Sequence, residues 1–408
     1  MTPAPSPRRL AVVLSHPNQY YSPWFRSLAR HTPLTVRVFY LWDAGVAPQP
    51  DPEFGKTFQW DVDLLGGYEN EFAPNTARAP GSARFNGLRN PTLPARLAAW
   101  RPDAILLFGY AYRPHLRVIL WARLHRVPLI FRGDSHLLGR GQLPFFPRAA
   151  LRLLYAQFAA FLPVGTANRD YFLHLGVPAR KLFSAPHAVD HTLFDPSRPD
   201  HRAAAEKLRR ELQLSPDTRV ILFAGKFVPA KQPVELLRAF LALAPTRAAL
   251  VFVGDGPEKP ALLELARNAP AGSVHFLPFA NQSEMPARYL LADVLALPSR
   301  GHYETWGLAV NEAMHLGVPA LVSDRVGCQR DLVTEGETGW VFPAGAPAAL
   351  RLTLATALAA VTDPARRERL RENVARRIAR FTYAHTTAGL TAALDALPDN
   401  VPVHTPLP

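Results

Sequence analysis

From Arg219 to Phe342 the chain repeats one pattern: a short unbroken apolar run, a polar or glycine turn, then a longer helical stretch. RVILFA, ALVFV, VHFLPF, ADVLALP, VPALVS and GWVFP are the apolar runs. Runs of this length without polar alternation read as strands buried on both faces, and the stretches between them read as crossovers in a parallel sheet. The pattern predicts an α/β doubly wound sheet, whose ligands sit beyond the carboxyl ends of its strands. LAVVL, TVRVFYLW, PDAILLFGY, VPLIFRG and AAFLPV give a second such series earlier in the chain, and LFSAPHAVD reads as its closing strand. The polar stretch from Pro196 to Asp217 separates the two. Two Rossmann-like domains are therefore expected, at 1–198 and 199–380. The segment 43–90 reads as a structureless insertion in the first, of the kind that serves as a lid.

The stretch from Ala292 to Asp324 carries the chemistry. It reads as a strand ending at Pro298, a polar loop, a helix from about Gly307 to Gly317, and a second strand. Glu304 stands in the loop, and Glu312 follows after seven intervening residues, about two helical turns on and close to the same face. Amides of Gly307 and Leu308 at the helix start would favour an anion, while the two carboxylates could accept hydrogen bonds from sugar hydroxyls. The combination suits a phosphorylated sugar.

Glu304, Glu312 and the flanking Gly307, Leu308, Ala313, Met314 and Gly317-Val318-Pro319 resemble the E-x7-E signature of the retaining GT-B glycosyltransferases, family 4. The resemblance implies a GT-B fold: two Rossmann-like domains facing across a cleft, with the nucleotide sugar on the second and the acceptor on the first. A helix at 381–398 would cross back onto the first domain, leaving a disordered tail at 399–408. Gly225, Lys226 and Lys231 match the family's basic loop directed at the donor diphosphate, and Gly254 and Gly256 match its glycine-rich turn. By the same resemblance Glu312 would hold the ribose hydroxyls and Glu304 those of the transferred sugar. His136, with Asp134 second, is the candidate for a histidine that faces the donor sugar. His16 and Tyr20 stand in a first loop where the family often has paired glycines, which makes them and Asp134 acceptor-side candidates. His187 and Ala188 replace an asparagine and a glycine before Val189 and Asp190, and Asp190 reads as structural. Metal-free transfer is implied, with the lysines and helix-end amides stabilising the leaving diphosphate; no cofactor is expected beside a UDP- or GDP-linked donor. Two rival readings share the scaffold: a partner subunit that binds nucleotide sugar without turnover, and a nucleotide-sugar epimerase.

Other patterns point elsewhere. Asp61-Val62-Asp63 spells the D-x-D of metal-dependent glycosyltransferases, but nothing else here resembles that fold. Arg132-Gly133-Asp134 spells an adhesion tripeptide, and Asn281-Gln282-Ser283 a glycosylation acceptor, neither of which suits a cytoplasmic chain. Cytoplasmic location is expected because no apolar run approaches the roughly 18–20 residues of a membrane span and the start of the chain has too short an apolar core for a signal peptide. The single cysteine, Cys328, leaves no internal disulfide framework. Residues 1–200 hold 23 Lys and Arg against 13 Asp and Glu, whereas 201–408 hold 23 against 20. Between Ala104 and Arg169 nine arginines face one acid, Asp134. Such a surface would attract an anionic membrane or acceptor, and suggests a glycan or lipid-linked partner in polysaccharide or glycolipid synthesis. Nucleic acid is not expected, since no recognition motif accompanies the charge.

Overall fold

The apolar runs form two six-stranded parallel sheets. The protein is described by a computed structural model covering residues 8–46, 49–51, 56–141, 143–302 and 304–397. The first half contributes β1 (Arg9–Leu14), β2 (Thr35–Tyr40), β3 (Gln49–Asp51), β4 (Lys56–Phe58), β5 (Glu69–Phe72), β6 (Ala104–Phe108), β7 (Leu129–Arg132) and β8 (Ala160–Leu162). Its helices are α1 (Tyr21–His31), α2 (Leu93–Trp100), α3 (Arg113–Leu124), α4 (Phe145–Tyr155) and α5 (Thr166–His174). After α6 (Pro199–Glu211) come β9 (Arg219–Ala224), α7 (Pro233–Leu243), β10 (Ala248–Val253), α8 (Lys259–Ala266), β11 (Val274–Leu277) and α9 (Met285–Leu291). β12 (Val294–Leu297), α10 (Leu308–His315), β13 (Ala320–Ser323), α11 (Gln329–Leu332) and β14 (Gly339–Phe342) complete the second sheet, and α12 (Pro347–Thr362), α13 (Pro364–Ile378) and α14 (Tyr383–Asp395) close the chain.

Strand order is β5-β2-β1-β6-β7-β8 in one sheet and β11-β10-β9-β12-β13-β14 in the other. Both follow the doubly wound plan, so winding reverses between β1 and β6 and again between β9 and β12. Those two reversals open crevices at the carboxyl edges of the sheets. Each sheet is covered on both faces. The first packs α2, α3, α4 and α5 on one face, through Leu93, Val118, Tyr155 and Tyr171. Its other face takes α1 and α14, through Trp24, Phe25, Leu390 and Leu394. The last helix thus belongs to the first domain's core. Trp24 Nε1 donates to Thr387 Oγ1 at 3.1 Å, and the Tyr383 hydroxyl donates to the Tyr20 carbonyl at 2.9 Å.

Two expectations change. Within 43–90, the polar run ENEF forms β5 at the sheet edge, where Arg37↔Glu69 to Tyr40↔Phe72 pair in parallel register. An edge strand with one exposed face needs no continuous apolar run, so the sequence pattern hid it. The expected closing strand at 182–190 is reduced to a single bridge, Phe161↔Leu182. The chain still runs beside β8, with Phe183 N–H donating to Phe161 O at 2.9 Å and Ala185 N–H to Pro163 O at 3.0 Å. Pro163 and Pro186 lack the donors a full ladder requires. The expected disordered tail at 399–408 lies outside the described residues.

Burial also fixes protonation states that stability measurements can read. His115 on α3 is 1% exposed, and neither ring nitrogen has a hydrogen-bond partner among the described residues. Burial pulls its pKa down to about 3. Below the unfolded value of about 6.5 the unfolded chain takes up a proton that the folded chain refuses, so this group's contribution is lost as pH falls. A His115→Leu variant should therefore gain on the native chain by roughly 1.4 kcal/mol for each pH unit between about 6 and 4, in urea unfolding at stepped pH. A pH-independent difference would contradict a neutral buried imidazole.

Candidate active site

The donor-side wall is made from strand ends of the second sheet. β9 stops at Gly225, and the turns after β9 and β10 hydrogen-bond to each other: Gly225 N–H to Val253 O at 3.0 Å and Phe227 N–H to Asp255 O at 2.8 Å. This close approach requires glycine at 254, where φ is +147° and a Cβ would lie 2.0 Å from the Gly225 oxygen. Gly225, Lys226, Lys231 and Gly254 face the cleft. Gly256 packs against the Phe227 backbone instead and does not line it.

The loop after β12 brings the glutamates to the same crevice. Glu304 accepts from the Lys231 ammonium and, at 3.1 Å, from the Ser299 hydroxyl. Both partners of the ion pair are largely buried, with side chains 15% and 13% exposed. Gly307 starts α10 at φ +101°, and a Cβ there would sit 2.9 Å from Val326 Cγ1. The first residues of α10, Leu308 and Ala309, reach the cleft beside it. Glu312 is 4% exposed and already hydrogen-bonded, by the Tyr289 hydroxyl at 2.6 Å and the Gln282 amide at 2.9 Å. Burial raises its pKa, and hydrogen bonds from Tyr289, Gln282 and Tyr20 oppose that rise. A carboxylate oxygen has further lone pairs, so Glu312 can accept from a ligand hydroxyl as well.

The first domain closes the opposite wall. Asn18 Oδ1 accepts from Tyr20 N–H at 3.1 Å and Tyr21 N–H at 2.9 Å, which caps α1 and turns Tyr20 and Tyr21 into the cleft. Tyr20 meets Glu312 across the cleft, and burial followed by that carboxylate's charge drives the phenol pKa well up. His16, by contrast, bonds Ser15 Oγ at 3.0 Å, packs edge-on against Trp42, and is not among the lining residues. The turn set by Asn18 carries the chain past the site before Tyr20 enters it.

Asp134 lines the cleft and accepts from Thr305 Oγ1 at 2.7 Å. His136 does not line it. Its Nδ1 accepts from Leu138 N–H at 3.1 Å, which leaves Nε2 as the donor to the Glu304 carbonyl at 3.3 Å. It therefore holds the glutamate loop against the first domain. The histidine that does face the cleft is His187, 3% exposed, with Nε2 4.0 Å from Asp134 Oδ2 and without a hydrogen-bond partner among the described residues. Burial, then the charge of Arg132, lowers its pKa well below the usual value. Asp190 holds its own turn, accepting from Thr192 N–H and Oγ1 at 3.0 and 2.6 Å.

About 530 Å³ of space lies between the walls. Trp60, from the segment read as a lid, borders it. The D-x-D aspartates are used separately: Asp61 accepts from the Ser283 hydroxyl, and Asp63 Oδ1 from Leu65 and Gly66 N–H at 3.0 and 2.8 Å. Asn281 Nδ2 donates to the Gln59 carbonyl at 2.6 Å, so the glycosylation-like tripeptide fastens this segment across the cleft. Arg132 of the adhesion-like tripeptide is buried beneath Trp24. Tyr289 and Trp60 carry no motif, Gln282 appears only inside the glycosylation-like tripeptide, and chain pattern alone singled out none of them as site residues. His187 was visible only as a departure from the asparagine of the resembled pattern.

A family profile described as "Glycosyl transferases group 1" matches residues 204–377. The D-inositol 3-phosphate glycosyltransferase of Geodermatophilus obscurus is 33% identical over 328 residues, 70% of this chain and 70% of its own length. This chain belongs to the glycosyl transferases group 1 family. The D-inositol 3-phosphate glycosyltransferase of Corynebacterium efficiens is 36% identical over 169 residues, and this group 1 chain spans only 39% of that relative's length in the match. Anabaena Alr3699/HepE, solved in complex with UDP, shares 18% identity, with 96% of this chain and 100% of that one covered at a TM-score of 0.72. That likeness concerns the fold, and with the two sheets above it gives this group 1 chain the GT-B fold.

Proposed function

We propose that the chain transfers a sugar, with retention of anomeric configuration, from a UDP- or GDP-linked donor to a hydroxyl of a glycan or lipid-linked acceptor. The observation that carries this reading is the convergence of Lys226, Lys231, Glu304, Glu312 and the start of α10 on one crevice at the reversal between β9 and β12. A donor diphosphate there would meet two cations and the helix-start amides, which stabilise the charge that develops as the bond from sugar to phosphate breaks. The acceptor oxygen bonds to the anomeric carbon on the face the diphosphate leaves, and its proton passes to the departing phosphate oxygen. Glu312 holds the ribose and Glu304 the transferred sugar, so neither is assigned as a covalent nucleophile. Asp134, His187 and Tyr21 form the acceptor side. The lysines do the work that a metal does in D-x-D enzymes. The names of the relatives favour an anionic, phosphorylated acceptor, in keeping with the basic first domain, and we place the reaction at the cytoplasmic face of a membrane.

The test is incubation with UDP- and GDP-sugars and a panel of hydroxyl acceptors, with and without EDTA, followed by proton NMR of the product. The expected result is a product with the donor's anomeric configuration, formed at a rate that EDTA changes by less than about twofold. Donor interconversion without acceptor would establish the epimerase, binding without turnover the partner subunit, and EDTA-abolished transfer a metal requirement.

A further inference from the structure

Helices α3 and α4 cover the same face of the first sheet, packing inward through Val118, Trp121 and Tyr155. They are neighbours, since Arg123 Nη1 on α3 donates to Gln157 Oε1 just after α4 at 2.7 Å. Their outward faces are apolar where solvent should favour polar side chains. Leu116, Leu120 and Leu124, one helical turn apart, are 42%, 58% and 71% exposed; Phe145, Phe146 and Leu153 are 76%, 82% and 72% exposed. Isolated exposed leucines are ordinary, but six large apolar side chains exposed on two neighbouring helices, with the Phe145 and Phe146 rings 5.5 Å apart, are more than a soluble surface needs. The charge on the two helices is all of one sign, Arg113, Arg117 and Arg123 on α3 and Arg148 and Arg152 on α4. Among the described residues no carboxylate pairs with Arg117, Arg123, Arg140 or Arg152, and Asp134, the one acid between 104 and 169, faces the cleft.

We infer that the outward faces of α3 and α4 dock this protein on an anionic lipid bilayer, with Phe145 and Phe146 inserted among the acyl chains and the arginines on the headgroups. An apolar face rimmed by arginine is what interfacial binding requires, since burial and headgroup attraction add. A second copy of this chain is the poorer partner, because pairing the surface with itself would bring two arginine clusters together. Nucleic acid would use the arginines but leave four exposed leucines without a stacking partner. Placement supports a membrane as well. α4 begins just beyond the loop that carries Asp134 into the cleft, so a bilayer on α4 lies next to the acceptor side. The inference deepens the membrane-bound reading proposed above and rests on it.

Sedimentation with vesicles tests it, using pure phosphatidylcholine and phosphatidylcholine with about 30% phosphatidylglycerol. The native chain should partition onto the anionic vesicles at least tenfold more strongly. Phe145→Ser/Phe146→Ser should lose most of that binding, and Arg123→Gln and Arg152→Gln should each weaken it about fivefold, near the loss of one headgroup charge contact. Thermal melts and UDP titrations on every variant should match the native chain, because these residues are exposed and outside the cleft. Native chain that binds UDP or GDP but not anionic vesicles would overturn the docking surface and leave the glycosyltransferase reading standing; binding of neither nucleotide with vesicle binding kept would do the reverse. A native dimer that the phenylalanine variant dissociates, or binding to single-stranded RNA in place of vesicles, would also overturn it.

Discussion

Lys231→Ala should leave the chain folded and lower sugar transfer by a factor of about 10²–10³, the effect of losing one preorganised group that stabilises developing negative charge. Lys231 sits in the crevice with its ammonium on Glu304, and both side chains are largely removed from solvent. In such surroundings a cation aimed at a leaving diphosphate acts with little screening. The loss should fall mainly on kcat, because the charge grows as the bond breaks, with a smaller rise in KM for the donor. Glu304 keeps its bond from Ser299, so melting should fall by only a few degrees. Lys231→Arg restores charge without the ammonium's compact shape and should recover part of the rate. Steady-state kinetics with a thermal melt on each variant check this. Native turnover in Lys231→Ala would remove the lysine from the chemistry.

Glu312→Ala should abolish measurable transfer and also destabilise the protein. From sequence the carboxylate reads only as an acceptor for sugar hydroxyls. In the structure it is buried and takes the Tyr289 hydroxyl and the Gln282 amide. Truncation leaves two buried donors unmatched, at about 1–3 kcal/mol each. Glu312→Gln is the sharper probe. Its carbonyl oxygen still accepts from Tyr289, and a flip of the Gln282 amide lets that side chain's oxygen accept from the new NH2, so stability should stay closer to native than in Glu312→Ala, while loss of the charge weakens its hold on ribose hydroxyls and donor affinity should fall about tenfold. Calorimetric donor titration alongside thermal melts separates the two effects. A glutamine variant with native donor affinity would show that Glu312 serves the fold rather than the nucleotide.

These cases mark what the chain pattern could reveal. Strands buried on both faces announce themselves as apolar runs, and the glycine turns after β9 and β10 announce the crevice, since Gly254 cannot carry a Cβ beneath the Gly225 oxygen. Lys226 and Lys231 stand out only because, after such a strand, they match the basic loop of the resembled family. β5 escaped because an edge strand can be polar, and the strand expected at 182–190 dissolved because two prolines interrupt its ladder. Gln282 and Tyr289 escaped for another reason: their role depends on meeting Glu312 across three dimensions, and neither residue type marks itself in advance. His136 turns away from the cleft and His187 faces it because hydrogen bonding, rather than order in the chain, decides which ring points at open space.

A crystal structure with bound UDP or GDP tests the central claim most directly, because both sheets reverse their winding and each reversal opens a crevice. The account predicts the diphosphate between Lys226, Lys231 and the first amides of α10, with ribose hydroxyls on Glu312. A nucleotide seated instead at the reversal between β1 and β6, against Asn18 and Tyr21, would contradict it.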